Sequence, residues 1–231
     1  MKTIMIINGK GGSGKSTLSM SLAGHFAAQG YVTMLKDYDP QGACIEWLNN
    51  RPVNRAKIFG IAAYKNVSGV TRAWHMRAPT DAEYCIVDTP AALQLSRYAE
   101  DLRTASNIIV PIVPSPIDIR SSAFFIRDLL THIKAYPTRA RIGIVASRVQ
   151  TSGRAFYALQ RIFSNLSLPF IASLSEHENY IAAAEHGVSM LELDGDSARR
   201  EREEWRPLLN WLDDKDTNQR ATPNANVARG R

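Results

Sequence analysis

The stretch Gly9-Lys10-Gly11-Gly12-Ser13-Gly14-Lys15-Ser16 constrains this chain more than any other part of it. It matches G-x-x-x-x-G-K-[ST] at every required position. It also lies between an apolar run, residues 3–8, and a run of helical spacing, residues 16–30. Glycines let consecutive backbone N–H groups turn inward around phosphate oxygens, and the helix that follows aims its N-terminus at the same charge. Lys15 is expected on the β and γ phosphates and the Ser16 hydroxyl on Mg2+. The nucleotide-binding set expected from this loop is Gly9, Lys10, Gly11, Gly12, Ser13, Gly14, Lys15, Ser16 and Thr17.

The remainder of the chain supplies the sheet that such a loop needs. Apolar runs at 3–8, 31–37, 57–64, 84–89, 107–114, 141–147 and 169–174 read as strands. The runs at 84–89 and 107–114 look buried on both faces, as in a parallel sheet. Helical patterns at 16–30, 121–136, 154–166, 180–187 and 198–214 alternate with them. The fold class expected is α/β: a P-loop NTPase with a mostly parallel twisted sheet and helices on both faces. One ATPase domain is expected over residues 1–214. Residues 215–231 carry no large apolar side chain except Val227 and hold Lys215, Arg220, Arg229 and Arg231 against Asp216. That tail is expected to be disordered. No apolar run is long enough to span a bilayer. Two cysteines, Cys44 and Cys85, are too few for a disulfide scaffold, which fits a cytoplasmic address.

Lys10 is not needed to bind one phosphate group. A second lysine in a cationic loop makes sense if it reaches across a dimer interface to the partner's phosphates, as arginine fingers act in trans. It is equally placed, by position alone, to be a solvent-exposed lysine.

The segment "KGGSGKST" is similar to the signature of the deviant Walker A ATPases, the ParA/MinD family. "DYDPQG" (37–42) resembles that family's first switch, "VDTPA" (87–91) its second switch and Walker B site, and "IVPIVPSPIDI" (109–119) the segment after the next strand. With the C-terminal "AAAEHGVSMLEL", the resemblance runs in order over about residues 2–193. It implies ATP and Mg2+ as cofactors. It assigns Asp39 to orienting the attacking water and supporting Mg2+, and Asp88 to holding Mg2+ through water. Ser16, Asp39 and Asp88 thus form the expected metal set, and Lys10, Lys15 and Asp39 the expected catalytic set. Asp37 reads as structural. The backbone of Thr89 and Pro90 is placed to sense the γ-phosphate. Ser147-Arg148 stands where family members often carry an Asn-Arg pair near adenine, so base contacts are expected from Ser147 and Arg148, with serine the less specific hydrogen-bonding partner. The mechanism implied is slow ATP hydrolysis accelerated by a partner protein.

The family divides by what its members bind. Membrane-bound members end in an amphipathic helix, and Trp205, Leu208, Leu209, Trp211 and Leu212 superficially resemble one. Glu201, Glu203, Glu204, Asp213 and Asp214 around them would be repelled by an anionic membrane, so this helix is expected to pack in the core, with no membrane partner. The formal net charge of +6 permits a polyanion partner. The function expected is an ATP-dependent homodimer that coats nucleoid DNA without sequence preference. A small adaptor then stimulates hydrolysis, and a cargo is positioned: a plasmid, a chromosome origin or a protein complex such as a carboxysome. Candidate phosphate contacts are Arg154, Arg161, Arg199, Arg200, Arg202 and Arg206, which are equally readable as solvated helix faces paired with Glu. With the loop starting at Gly9, no DNA-reading helix-turn-helix domain is expected before it. The alternatives are a membrane-associated division-site regulator and a metabolic ATPase related to the nitrogenase iron protein, which needs cysteines at a dimer axis.

Overall fold

A computed structural model describes residues 1–65, 79–91, 93–150, 154–164 and 168–214, with the side chains of 154, 155, 163 and 164 outside that description. The basic tail, expected to be disordered, and the Arg154 side chain therefore lie outside the described residues. The strands are β1 (Lys2–Ile6), β2 (Thr33–Asp37), β3 (Ile58–Ala62), β4 (Tyr84–Asp88), β5 (Asn107–Ile112), β6 (Arg141–Val149) and β7 (Phe170–Ser175). They form a seven-stranded sheet in the order β3-β2-β4-β1-β5-β6-β7, and every pairing is parallel. The P-loop NTPase architecture expected from the sequence is the one observed, and each expected strand run overlaps one of these seven.

The helices are α1 (Lys15–Ala28), α2 (Ala43–Asn49), α3 (Ala99–Thr104), α4 (Pro116–Ala135), α5 (Arg154–Ser164), α6 (Glu178–Glu185) and α7 (Arg199–Asp213). One core face joins Leu18 and Leu22 of α1, Trp47 of α2, Ala183 of α6 and Trp205, Leu208 and Leu212 of α7 to Ile4, Ile6 and Ile86 of the sheet. The other joins Leu102 of α3, Ile126 and Leu129 of α4 and Leu159 of α5 to Met5, Val87 and Ile108. Helices thus cover both faces. Trp205 and Leu208 are completely buried, so the apolar side of α7 is core, and no described helix is long and apolar enough to cross a membrane.

Three helices differ from the sequence reading. Neither α2 nor α3 is legible in it, and α4 begins at Pro116 instead of Ser121. Ser115 caps α4: its hydroxyl accepts from the Asp118 N–H, and Pro116 occupies the first helical turn, where its missing N–H costs nothing.

Register places the site. Ile6 of β1 pairs with Asp88 of β4, and Asp37 of β2 pairs with the same Asp88. The start of the phosphate loop and the ends of two acidic strands therefore lie in one row at the C-terminal edge of the sheet, where ligands bind in open α/β sheets.

Behind that edge, α1 approaches the turn at 189–192 closely. A Cβ added at Gly24 would sit 2.3 Å from the Ser189 Cβ and 2.6 Å from Glu192 Oε2. Glu192 is fixed in place by Arg51, with Nη1–Oε2 at 2.9 Å and Nη2–Oε1 at 2.6 Å, both side chains being nearly buried. Gly24→Ala is expected to lower stability by about 1–3 kcal/mol through overpacking, exceeding alanine's own gain in a helix. A urea midpoint equal to that of the parent protein would show that the 189–192 turn can move aside.

Candidate functional site

The loop between β1 and α1 has the backbone of a phosphate cradle. Gly12 and Gly14 are left-handed, with φ of 73° and 85°, a conformation that costs an L-residue with a side chain energy. α1 begins at Lys15 with no side-chain cap and no acidic residue in its first turn, so its first amides have no competing acceptor from the chain. Asn8 anchors the loop from beneath. Its Nδ2 donates to Pro111 O at 2.7 Å and to Ser122 Oγ at 3.0 Å, and its Oδ1 accepts from Lys10 N at 3.1 Å.

A cavity of about 460 Å³ opens beside this loop. From the expected set, Gly11, Gly12, Ser13, Gly14, Lys15, Ser16, Thr17, Asp39, Ser147 and Arg148 line it. Gly9, Lys10 and Asp88 do not.

Lys15 is 6% exposed, and its ammonium donates to the Lys10 carbonyl at 3.0 Å. Burial lowers its pKa, and the negative charges of Asp88 and Asp39 oppose that shift. Ser16 Oγ donates to Asp88 Oδ2 at 2.8 Å. Asp88 also lies 2.9 Å from Ser19 Oγ and 3.4 Å from the Cys44 sulfur. Burial pushes the Asp88 carboxyl up to about 6, while the Ser16 and Ser19 hydroxyls favour its charged form.

The two other acidic residues divide structure from site. Asp37 is completely buried and accepts from the N–H groups of Asp39, Cys44 and Ile45, at 2.9, 3.2 and 3.3 Å. It ties the end of β2 to the start of α2, the structural role the sequence suggests. Asp39 is half-buried, faces the cavity and accepts from Gln41 N–H at 2.9 Å. Thr89, after Asp88, donates from Oγ1 to Ile6 O at 2.8 Å, locking the segment after β4 to the strand that carries the loop.

Lys10 is not simply solvated. Its side chain is 40% exposed, but its ammonium lies 3.5 Å from Asp118 Oδ1 at the start of α4. Ser115 Oγ in turn donates to Asp118 Oδ2 at 2.5 Å. The second lysine is turned away from its own cavity and held by a carboxylate.

At the other end of the cavity, Ser147 Oγ donates to Ser13 O at 2.7 Å, so its proton braces the loop and leaves only lone pairs for a base. Arg148, left-handed at φ 54°, puts its guanidinium on Glu176, with Nε at 2.9 Å. Leu18, Gln41 and Ala91 also line it, and Leu174, Ser175, Glu176, His177, Tyr180 and Ile181 form the wall at this end. Sequence reasoning missed all of these. The last six lie at or just beyond the C-terminal end of β7, and the general rule that ligands sit beyond the carboxyl ends of strands is the one signal that points to them.

Several candidate DNA contacts are engaged within the chain. Arg200 pairs with Glu204 at 3.5 Å and Arg206 with Glu203 at 3.1 Å. Arg202 Nη2 donates to Gly195 O at 2.8 Å. The cysteines lie on opposite faces of the sheet, Cys44 with the α1 core and Cys85 with the α4 core, and both are buried. Burial raises both thiol pKa values, that of Cys85 to about 11. This placement is unsuited to a cluster bridging two subunits.

A model of the CobQ/CobB/MinD/ParA nucleotide binding domain matches residues 4–190. The maintenance of carboxysome distribution protein A of Gloeobacter kilaueensis is 29% identical over 216 residues, covering 92% of this chain and 94% of that protein. The protein of the same name from Halothiobacillus neapolitanus is 25% identical over 209 residues, covering 90% and 94%. Among solved structures, an ATP complex of a McdA variant from Cyanothece superposes with a TM-score of 0.66 at 19% identity, covering 90% of this chain and 96% of that one. A plasmid partition protein from Borrelia burgdorferi bound to AMPPNP does so with 0.67 at 15% identity, covering 91% and 99%.

Proposed function

The chain belongs to the CobQ/CobB/MinD/ParA nucleotide-binding domain family, and on that premise we propose that it is a ParA-like ATPase with a spatial-positioning role. ATP binding makes a homodimer, the dimer coats nucleoid DNA without sequence preference, and an adaptor stimulates hydrolysis to release it. The cargo proposed is a carboxysome or a comparably large protein assembly. This is supported by the names of two relatives that span nine-tenths or more of this chain.

The residues fit ATP and Mg2+. Left-handed glycines and uncapped α1 amides suit a triphosphate, and the wall of Leu174, Tyr180 and Ile181 suits a flat base. No group of three or more His, Cys, Asp or Glu able to hold a metal occurs among the described residues, and Mg2+ requires none, because it keeps several waters and takes phosphate oxygens. Ser16 would hold it directly and Asp88 through water, and the ion would neutralise charge on the phosphates. Lys15 binds the phosphates of its own chain. Asp39 orients the attacking water from the cavity wall. Ser147 braces the loop, and Arg148 closes the base end. With one carboxylate to orient water, intrinsic hydrolysis is slow.

The observation that supports the dimer is the position of Lys10. Its ammonium lies outside its own cavity, on Asp118 in a part-exposed pair that a partner's phosphate could replace.

The test is binding to duplex DNA of arbitrary sequence, followed by fluorescence anisotropy. Binding should require ATP and Mg2+ and should fall steeply with salt, log K declining by about 0.9 per phosphate neutralised for each tenfold rise in salt. Binding that is independent of nucleotide would contradict the cycle. ATP-dependent sedimentation with anionic vesicles but not with DNA would favour the membrane-bound division-site reading.

A further inference from the structure

A second concavity, of about 690 Å³, lies between α4 and α5, away from the nucleotide cavity. Its floor is apolar. Phe124 is 55% exposed and Ile162 38%, with Leu130 half-buried beside them. Large apolar side chains grouped in an open groove mark an interaction surface more often than a bare surface.

The rim has one sign of charge. Arg120, Arg127 and Lys134 line the groove, all three are exposed, and among the described residues no acidic one lines it. They follow one another at intervals of seven along α4. Residues seven apart drift only about 20° around a helix and rise about 10 Å, so the three cations form a straight row about 21 Å long. The Arg127 guanidinium lies 5.0 Å from the Phe124 ring centroid, which holds the middle of the row against the apolar floor.

We propose that this groove is a docking site for an amphipathic helix of a separate protein. That helix lays its apolar stripe on Phe124, Leu130 and Ile162 and carries a carboxylate at every seventh residue to meet Arg120, Arg127 and Lys134. Helix-in-groove recognition uses this combination of apolar anchors and flanking charge. The chain's own tail is excluded as occupant by charge, since residues 215–231 hold four basic side chains and one acidic. A polyanion without apolar surface would leave Phe124 and Ile162 in water, which disfavours DNA. The proposal adds a partner chemistry to the ATPase reading and stands on the groove alone.

The probe is a synthetic helical peptide about 18 residues long, with leucines along one stripe and glutamates along its edge, and a second peptide with lysine in place of each glutamate. The full chain should bind the acidic peptide in the micromolar range and the basic one at least about tenfold more weakly. Phe124→Ser should weaken acidic-peptide binding about tenfold. The triple variant Arg120→Glu, Arg127→Glu, Lys134→Glu should invert the preference between the two peptides. ATP affinity, measured on the same variants with a fluorescent analogue, should stay at the parent value, which separates a failed groove from a failed nucleotide site. Three results overturn the proposal: no binding of the acidic peptide, binding indifferent to the variants, or loss in the triple variant of duplex DNA binding alone. Loss of ATP-dependent dimerisation in Phe124→Ser without peptide binding would assign the groove to a second copy of this chain instead.

Discussion

Lys15→Ala protein is expected to lose ATP affinity by about thirtyfold to several thousandfold, and with it every ATP-dependent property. Removing one partner of a largely desolvated charge pair costs about 2–5 kcal/mol, and each 1.4 kcal/mol is tenfold. Lys15 meets that description: it is 6% exposed and lines the cavity. Its ammonium now donates to the Lys10 carbonyl, a modest interaction that a phosphate readily replaces. The substitution also frees that carbonyl, so loop disorder is the competing explanation for any loss. Ser13 Oγ still donates to the same carbonyl at 3.2 Å, and Asn8 Oδ1 still accepts from Lys10 N. Thermal unfolding should therefore shift little in the nucleotide-free protein. A fluorescent-ATP titration that changes by less than threefold would remove Lys15 from the phosphate site, whereas a large fall in unfolding temperature would assign the loss to the loop.

Legibility in the sequence tracks how local each feature is. The phosphate loop is contiguous, so motif and geometry coincide, down to left-handed φ at Gly12 and Gly14. The strands are legible because a parallel sheet covered on both faces needs uninterrupted apolar runs, such as Ile108, Ile109 and Val110, all fully buried. α2 is not legible because its start is organised by Asp37, a strand residue six positions upstream, instead of by a local cap. It also has only seven residues, too few to show a period. The start of α4 is misread because its cap and first turn, Ser115-Pro116, look like loop punctuation. Prolines signal both, and only the Asp118 N–H to Ser115 hydroxyl bond distinguishes them. The far end of the cavity is only half legible, for a different reason. Ser147 and Arg148 at the end of β6 are found through the family resemblance, but the residues at and beyond the end of β7 are not, because no spacing rule links that segment to a loop more than a hundred positions away.

Lys10→Ala protein should separate binding from assembly. Its ATP affinity should remain within a few-fold of the parent value, because the Lys10 side chain does not line the cavity. Its ATP-dependent dimer should weaken by about thirtyfold or more. The energetics follow from where the ammonium now sits. The pair with Asp118 is 3.5 Å long, with side chains 40% and 21% exposed, and a pair that open to water contributes about 0–1 kcal/mol. A phosphate met in a closed interface contributes several times more, about 2–5 kcal/mol. Under the proposed dimer, Lys10 would stay with Asp118 while no partner is present and leave it when a second subunit brings phosphate. Asp118→Asn removes the resting partner and keeps a side chain of the same shape. It should tighten the ATP-dependent dimer by up to about fivefold, the equivalent of 1 kcal/mol. Sedimentation velocity with a slowly hydrolysed ATP analogue reads both effects. Opposite shifts from two substitutions on one ion pair are not what a general loss of folding produces. If Lys10→Ala assembles as the parent does, the lysine belongs to Asp118 and to nothing across the interface.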